Sequence, residues 1–149
     1  GSVDRSLLLA ASILHEIGTF LGFKRHHKPA LYLLSNSELP GLSPNEMLVV
    51  ANISRYHRKN IPREHHPEFM QLSEADRERT TVLASILRVA NALDRSHIQK
   101  IKAVRAEIKK KEIILHLDGE GDLVLERWAV SRRKVLFSKV FKRNTSISA

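Results

Sequence analysis

The chain contains no cysteine, which removes disulfide bonds, thiolate nucleophiles and cysteine-bound zinc from its chemistry. Aromatic residues make up only 5%, too few for a surface that stacks the bases of single-stranded nucleic acid. Six glycines and five prolines punctuate the sequence without forming a linker, a low-complexity tract or a glycine-rich phosphate loop. No apolar run approaches the roughly 20 residues needed to cross a bilayer, and no secretory pattern opens the chain. These absences predict a cytoplasmic protein with no membrane partner. Gly1-Ser2 in place of an initiating Met reads as a protease-cleavage scar, so the expectation is a piece of a longer protein.

What is present is a soluble balance of 42% hydrophobic and 28% charged residues with a formal net charge of +9. A positive potential of that size favours an anionic partner: phosphate, polyphosphate, nucleotide or nucleic acid. With 149 residues, the chain can build one core, or a core and a small appendage.

Apolar spacing predicts a first helix over about residues 4–17, capped by Asp4, with Leu7, Leu8, Ala11, Leu14 and Ile17 inward. Gly18 and Gly22 then loosen the chain before the basic stretch Lys24-Arg25-His26-His27-Lys28, and Pro29 opens a short helix to Leu34. Ser43-Pro44-Asn45-Glu46 carries a cap, a proline at the first helical position and a glutamate that closes a capping box. That helix should continue to about His57. Residues 60–72, with Pro62, Pro67 and His65-His66, read as a loop in which the two histidines are exposed and inert. Ser73 starts another helix, whose wide apolar face includes Val82, Leu83, Ile86, Leu87, Val89, Ala90 and Leu93.

After Asp94 the pattern changes to alternation. Ile113, Leu115 and Leu117 read as a strand that ends at Asp118-Gly119-Glu120-Gly121, with Val104 to Ile108 as its hairpin partner across Lys109-Lys110-Lys111. Leu125 to Phe141 reads as a last amphipathic helix, with Trp128, Phe137 and Phe141 in a core or an interface. The predicted architecture is mainly α: a helical bundle over residues 1–96 followed by a small ββα extension over 97–149, packed as one unit. The whole is α+β in class.

Four clusters carry the chemistry: His15-Glu16, His26-His27, Arg55-Tyr56-His57-Arg58-Lys59 and Asp94-Arg95-Ser96. Imidazoles and carboxylates at the ends of apolar helices can converge in a bundle on a divalent cation or a phosphate group. Taken singly, each is as readily a satisfied core histidine, a solvated carboxylate or a cap.

Taken together and in order, these segments resemble the histidine-aspartate (HD) phosphohydrolase superfamily. The resemblance is closer to the C-terminal domain of the exopolyphosphatase and guanosine pentaphosphate phosphatase (Ppx/GppA) family. It rests on Ala11-Ser12-Ile13-Leu14-His15-Glu16-Ile17-Gly18, His26-His27-Lys28, Glu46, Arg55 to Lys59 and Leu83 to Ser96. In the tail it rests on Leu125-Glu126-Arg127-Trp128 and Leu136 to Phe141. Two departures stand out. The superfamily's His-Asp pair is His15-Glu16 here, and residues 1–14 contain no histidine to serve as the superfamily's earlier one.

The resemblance implies an HD-like bundle from a bacterial hydrolase family whose phosphoanhydride chemistry belongs to an N-terminal actin-like domain. This chain would supply the accessory domain that holds polyphosphate or a phosphorylated nucleotide, and would be inactive by itself. It also implies a homodimer. The phosphate-binding set expected from the basic clusters is Lys24, Arg25, His26, His27, Lys28, Arg55, His57, Arg58, Lys59 and Arg95. The metal ligands carried over are His15, Glu16 and Asp94, for Mn, Mg, Zn or Fe. With them goes the alternative, a free-standing metal-dependent HD phosphohydrolase acting on nucleotides or other phosphoesters.

Overall fold

A computed structural model describes residues 1–17 and 27–148, with the backbone alone at 27–30. The chain divides into two compact units, Gly1–Leu87 and Arg88–Ala149. Together they are mainly α with a small three-stranded sheet.

In the first unit, helix α1 (Ser2–Leu14) is followed by α2 (His27–Ser35), α3 (Pro44–Arg55), α4 (Pro67–Met70) and α5 (Glu74–Leu93), which continues into the second unit. Helix α3 is central, with α1, α2 and α4 packed against it. The reason lies in its sequence: Met47, Val49, Val50, Ala51 and Ile53 are all buried, as is Tyr56 at its C-cap, so α3 is enclosed around most of its circumference. Leu7 and Ala11 of α1, Phe69 of α4 and Leu83, Ala84 and Leu87 of α5 complete that core. Leu31 and Leu34 of α2 meet Met47 and Ala51 in a second cluster.

The starts of three helices are bonded together by polar groups. At α3 the predicted capping box forms, the Glu46 amide donating to Ser43 Oγ at 3.2 Å and the Ser43 amide to Glu46 Oε2 at 2.8 Å. Asp76, in the first turn of α5, accepts from Asn45 Nδ2 at 2.9 Å, Ser73 Oγ at 2.9 Å and Arg79 Nη1 at 2.6 Å. Those bonds, led by the one from Asn45, hold its carboxyl below the usual aspartate range. Arg79 Nε also reaches Asp4 Oδ1 at 2.8 Å. Asp4 is therefore not the cap of α1. It lies inside the first turn, where it also accepts from the Gly1 ammonium at 2.7 Å.

In the second unit, β1 (Ile101–Ile108) and β2 (Glu112–Gly119) form the predicted antiparallel hairpin, closed by the Lys109 amide on the Glu112 carbonyl at 2.8 Å. Glycine is required at both ends of the turn that follows. A Cβ on Gly119 would sit 2.9 Å from the Lys100 carbonyl oxygen, and Gly121 has a φ of +73°. Helix α6 (Val124–Phe141) then crosses back, and Lys142, at a φ of 51°, ends it in the left-handed region.

A third strand follows that sequence periodicity does not predict: β3 (Asn144–Ser148) pairs parallel to β2. The extension is thus ββαβ. The β3 sequence Asn-Thr-Ser-Ile-Ser has no apolar alternation. It is held by the β2 ladder, by Lys134 Nζ donating to the Thr145 carbonyl at 2.5 Å and by a Ser138–Thr145 hydroxyl contact at 2.8 Å.

Candidate anion-binding site

The C-terminal ends of α1 and α3 meet at the site. His15 caps α1, its backbone amide donating to the Ala11 carbonyl at 2.9 Å. Its ring Nδ1 lies 2.7 Å from the Ser12 carbonyl oxygen. A carbonyl can only accept, so Nδ1 carries the proton. His57 repeats the arrangement one helix away, with Nδ1 2.5 Å from the Ser54 carbonyl. The two imidazoles make an edge-to-face contact, with centroids 4.8 Å apart at 70°. Each ring is oriented by its own chain three residues earlier, and His57 is buried, at 4% accessible.

Beside the imidazoles, Arg58 Nη2 donates to Glu16 Oε1 at 3.1 Å, and the same carboxylate oxygen lies 3.9 Å from His15 Nε2. Lys59 follows, exposed. Helix C-termini carry partial negative charge and favour cations, which accounts for basic side chains collecting where α1 and α3 end. The Glu16–Arg58 pair is partly exposed, with Glu16 45% and Arg58 37% accessible, so it is screened and exchangeable.

The run from Arg55 to Lys59 does not act as one patch. Adjacent helical residues point about 100° apart, and Arg55 turns away, buried, to donate through Nη1 to Glu68 Oε2 of α4 at 2.9 Å. Tyr56 is fully buried, its hydroxyl 2.7 Å from Nδ1 of His66. Burial pushes the phenol up to about 12. The pair His65-His66 divides likewise. His65 is exposed, whereas His66 is 8% accessible, so the reading of both as exposed and inert fails at His66. Sequence periodicity missed Glu68 and His66 as partners because both sit in the proline-flanked stretch around the four-residue helix α4.

Of the other basic candidates, Lys24, Arg25 and His26 lie outside the described residues, and His27 and Lys28 begin α2 with only their backbone described. In the second unit, Asp94 and Arg95 are exposed in the turn after α5, with Asp94 Oδ2 3.8 Å from His97 Nδ1. Ser96, in the same turn, holds the buried carboxylate of Glu126 below the usual glutamate range. Arg88 is buried, and desolvation pushes its guanidinium down to about 10, still charged at neutral pH.

The donors for a metal do not fit among the described residues, where no group of three or more histidine, aspartate or glutamate side chains could hold an ion. Glu16 lies against Arg58, and Asp94 faces His97. Nor is any helix among these residues long and apolar enough to cross a membrane.

Two comparisons with known proteins bear on this arrangement. The family described as Ppx/GppA phosphatase, domain III, matches residues 2–132. A guanosine-5'-triphosphate,3'-diphosphate pyrophosphatase from Pseudoalteromonas translucida (strain TAC 125) is 40% identical over 55 residues, which span 37% of this chain and 11% of that protein. The family match takes in α1 through α5, the hairpin and the first half of α6, and so includes the imidazole pair and the turn at Asp94. The chain belongs to the Ppx/GppA phosphatase family, as its domain III.

Proposed function

We propose that this chain is the accessory, anion-binding domain of a longer cytoplasmic Ppx/GppA phosphatase. In this reading the actin-like catalytic domain lies elsewhere in the parent protein. The site binds the phosphate groups of polyphosphate or of a phosphorylated nucleotide through His15, His57, Arg58 and Lys59, with Lys24 to Lys28 contributing from the same unit. The observation that carries the reading is the junction of α1 and α3, where two backbone-oriented imidazoles meet an exchangeable Glu16–Arg58 pair. An incoming phosphate can take Arg58 from Glu16 in bidentate geometry.

The +9 net charge supports attraction of a polyanion over several groups, with an affinity that falls as salt rises. Titration of a defined-length polyphosphate into the chain at increasing salt tests this. Binding that weakens steeply with salt is expected, and an absence of binding at low salt sinks the reading.

Self-association is part of the same proposal. The outer face of α6 supports it, with Leu125, Trp128 and Val135 exposed. Light scattering across a concentration range checks it, a monomer at every concentration counting against it. The rival, a metal-dependent phosphohydrolase, has less support, because no group of three or more donor side chains placed to hold an ion is found among the described residues.

A further inference from the structure

Residues 57–66, which begin with the site residues His57, Arg58 and Lys59, loop out from α3 and return to it, and a buried polar contact joins the two ends of the loop. Tyr56 Oη and His66 Nδ1 lie 2.7 Å apart, with the tyrosine fully buried and the histidine 8% accessible. The rings stack at 5.5 Å and 25°. In the arrangement proposed below the phenol donates, so Nδ1 of His66 accepts and the ring is neutral. Protonation of His66 would place a second N–H against the phenol and put a cation in a crowded positive environment. Arg55 approaches from α3, Arg63 and His65 from the loop, and only Glu68 of α4 offsets them, itself bonded to Arg55.

We propose that the Tyr56–His66 contact is an acid-sensitive clasp that fixes the loop carrying His57, Arg58 and Lys59, and that protonating His66 releases that loop together with α4. Burial together with the neighbouring cations Arg55, His65 and Arg63 lowers the pKa of His66, so the clasp stays closed at neutral pH and opens only below the ordinary histidine range. The released segment extends from the end of α3 into α4, because the α4 amides hang on His66. The amides of Phe69 and Met70 donate to the His66 carbonyl at 3.1 and 3.0 Å. Tethers remain when the clasp opens, among them Arg55–Glu68 and Asn52 Nδ2 to the Glu68 carbonyl at 3.2 Å. Release is therefore local rather than global unfolding.

That the loop carries an anion site rests on the proposed function above; the clasp itself does not, and its test involves no ligand. Amide hydrogen exchange of the full chain, corrected for intrinsic rates, is compared at pH 7.5 and pH 5.0. Protection at His66, Phe69, Met70 and Gln71 is expected to fall roughly tenfold at the lower pH, the scale of one buried hydrogen bond left unmade, while Val50 and Ile53 of α3 hold theirs. Tyr56→Phe keeps the ring and removes the bond, so it should show the reduced protection already at pH 7.5. His66→Asn should remove the pH dependence. Nitrogen chemical shifts of the His66 ring give an independent reading, with an unprotonated Nδ1 expected at pH 7.5. Protection at these four amides that does not change with pH, or a protonated Nδ1 at pH 7.5, would overturn the proposal.

Discussion

Enclosure of the Tyr56 phenol ties stability to alkaline pH. Its pKa rises on folding from 10.0 to about 12, so between those values the unfolded chain gives up a proton that the folded chain keeps. The contribution of Tyr56 is therefore complete below pH 10 and is lost as pH climbs toward 12. Urea titrations of the wild type and Tyr56→Phe should diverge in their pH dependence only within that window, and parallel profiles would contradict the assignment. Asp76 acts at the acid end. Its lowered carboxyl contributes stability that is present above pH 3.8, its value in the unfolded chain, and lost as pH falls below. At neutral pH, Asp76→Asn should cost about 1.5–3 kcal/mol, because the bonds from Asn45, Ser73 and Arg79 converge on a charged acceptor. A variant as stable as the wild type in urea at pH 7 would count against that network. The two residues differ in what the sequence disclosed. Ser73-Glu74-Ala75-Asp76 announced a helix start, but nothing local marked Tyr56 as the partner of a histidine ten positions away.

Among the elements, α3 is the one most fully written in the chain. Its start is specified by side chains next to each other in sequence, and Ser43→Ala should remove about 1 kcal/mol, read as a lower urea midpoint. Helix α4 and strand β3 were not legible for opposite reasons. Helix α4 has only four residues, too few for periodicity, and depends on Asn52 and Arg55 of α3 for its place. Strand β3 is polar, and its position comes from the β2 edge and from α6. Removing residues 144–148 would leave β2 with an unpaired edge, a template for intermolecular pairing. The shortened chain should melt earlier and aggregate on heating. An unchanged melting temperature would show that β3 is dispensable. The site shows the same division. That His15, Glu16, His57 and Arg58 could come together was visible from helix ends. That Arg55 would leave the cluster for Glu68 was not, because the direction of a side chain at a helix end depends on what packs beside it.

For the molecule as a whole, the excess of positive charge and the junction of α1 with α3 support the proposal that phosphate groups are held at His15, His57, Arg58 and Lys59. Charge alone predicts weak, diffuse attraction anywhere on the surface, so location is the discriminating observable. The most direct measurement is a backbone and histidine-ring NMR titration of the chain with tripolyphosphate at moderate salt, repeated on Arg58→Glu. The account predicts saturable shifts concentrated at residues 15–16 and 57–59 and at the His15 and His57 rings, with affinity reduced at least tenfold in the variant, since a bidentate charge-assisted contact is replaced by repulsion. Shifts scattered over Lys109 to Lys111, Arg132 and the other exposed cations, with Arg58→Glu binding as well as the wild type, would contradict it.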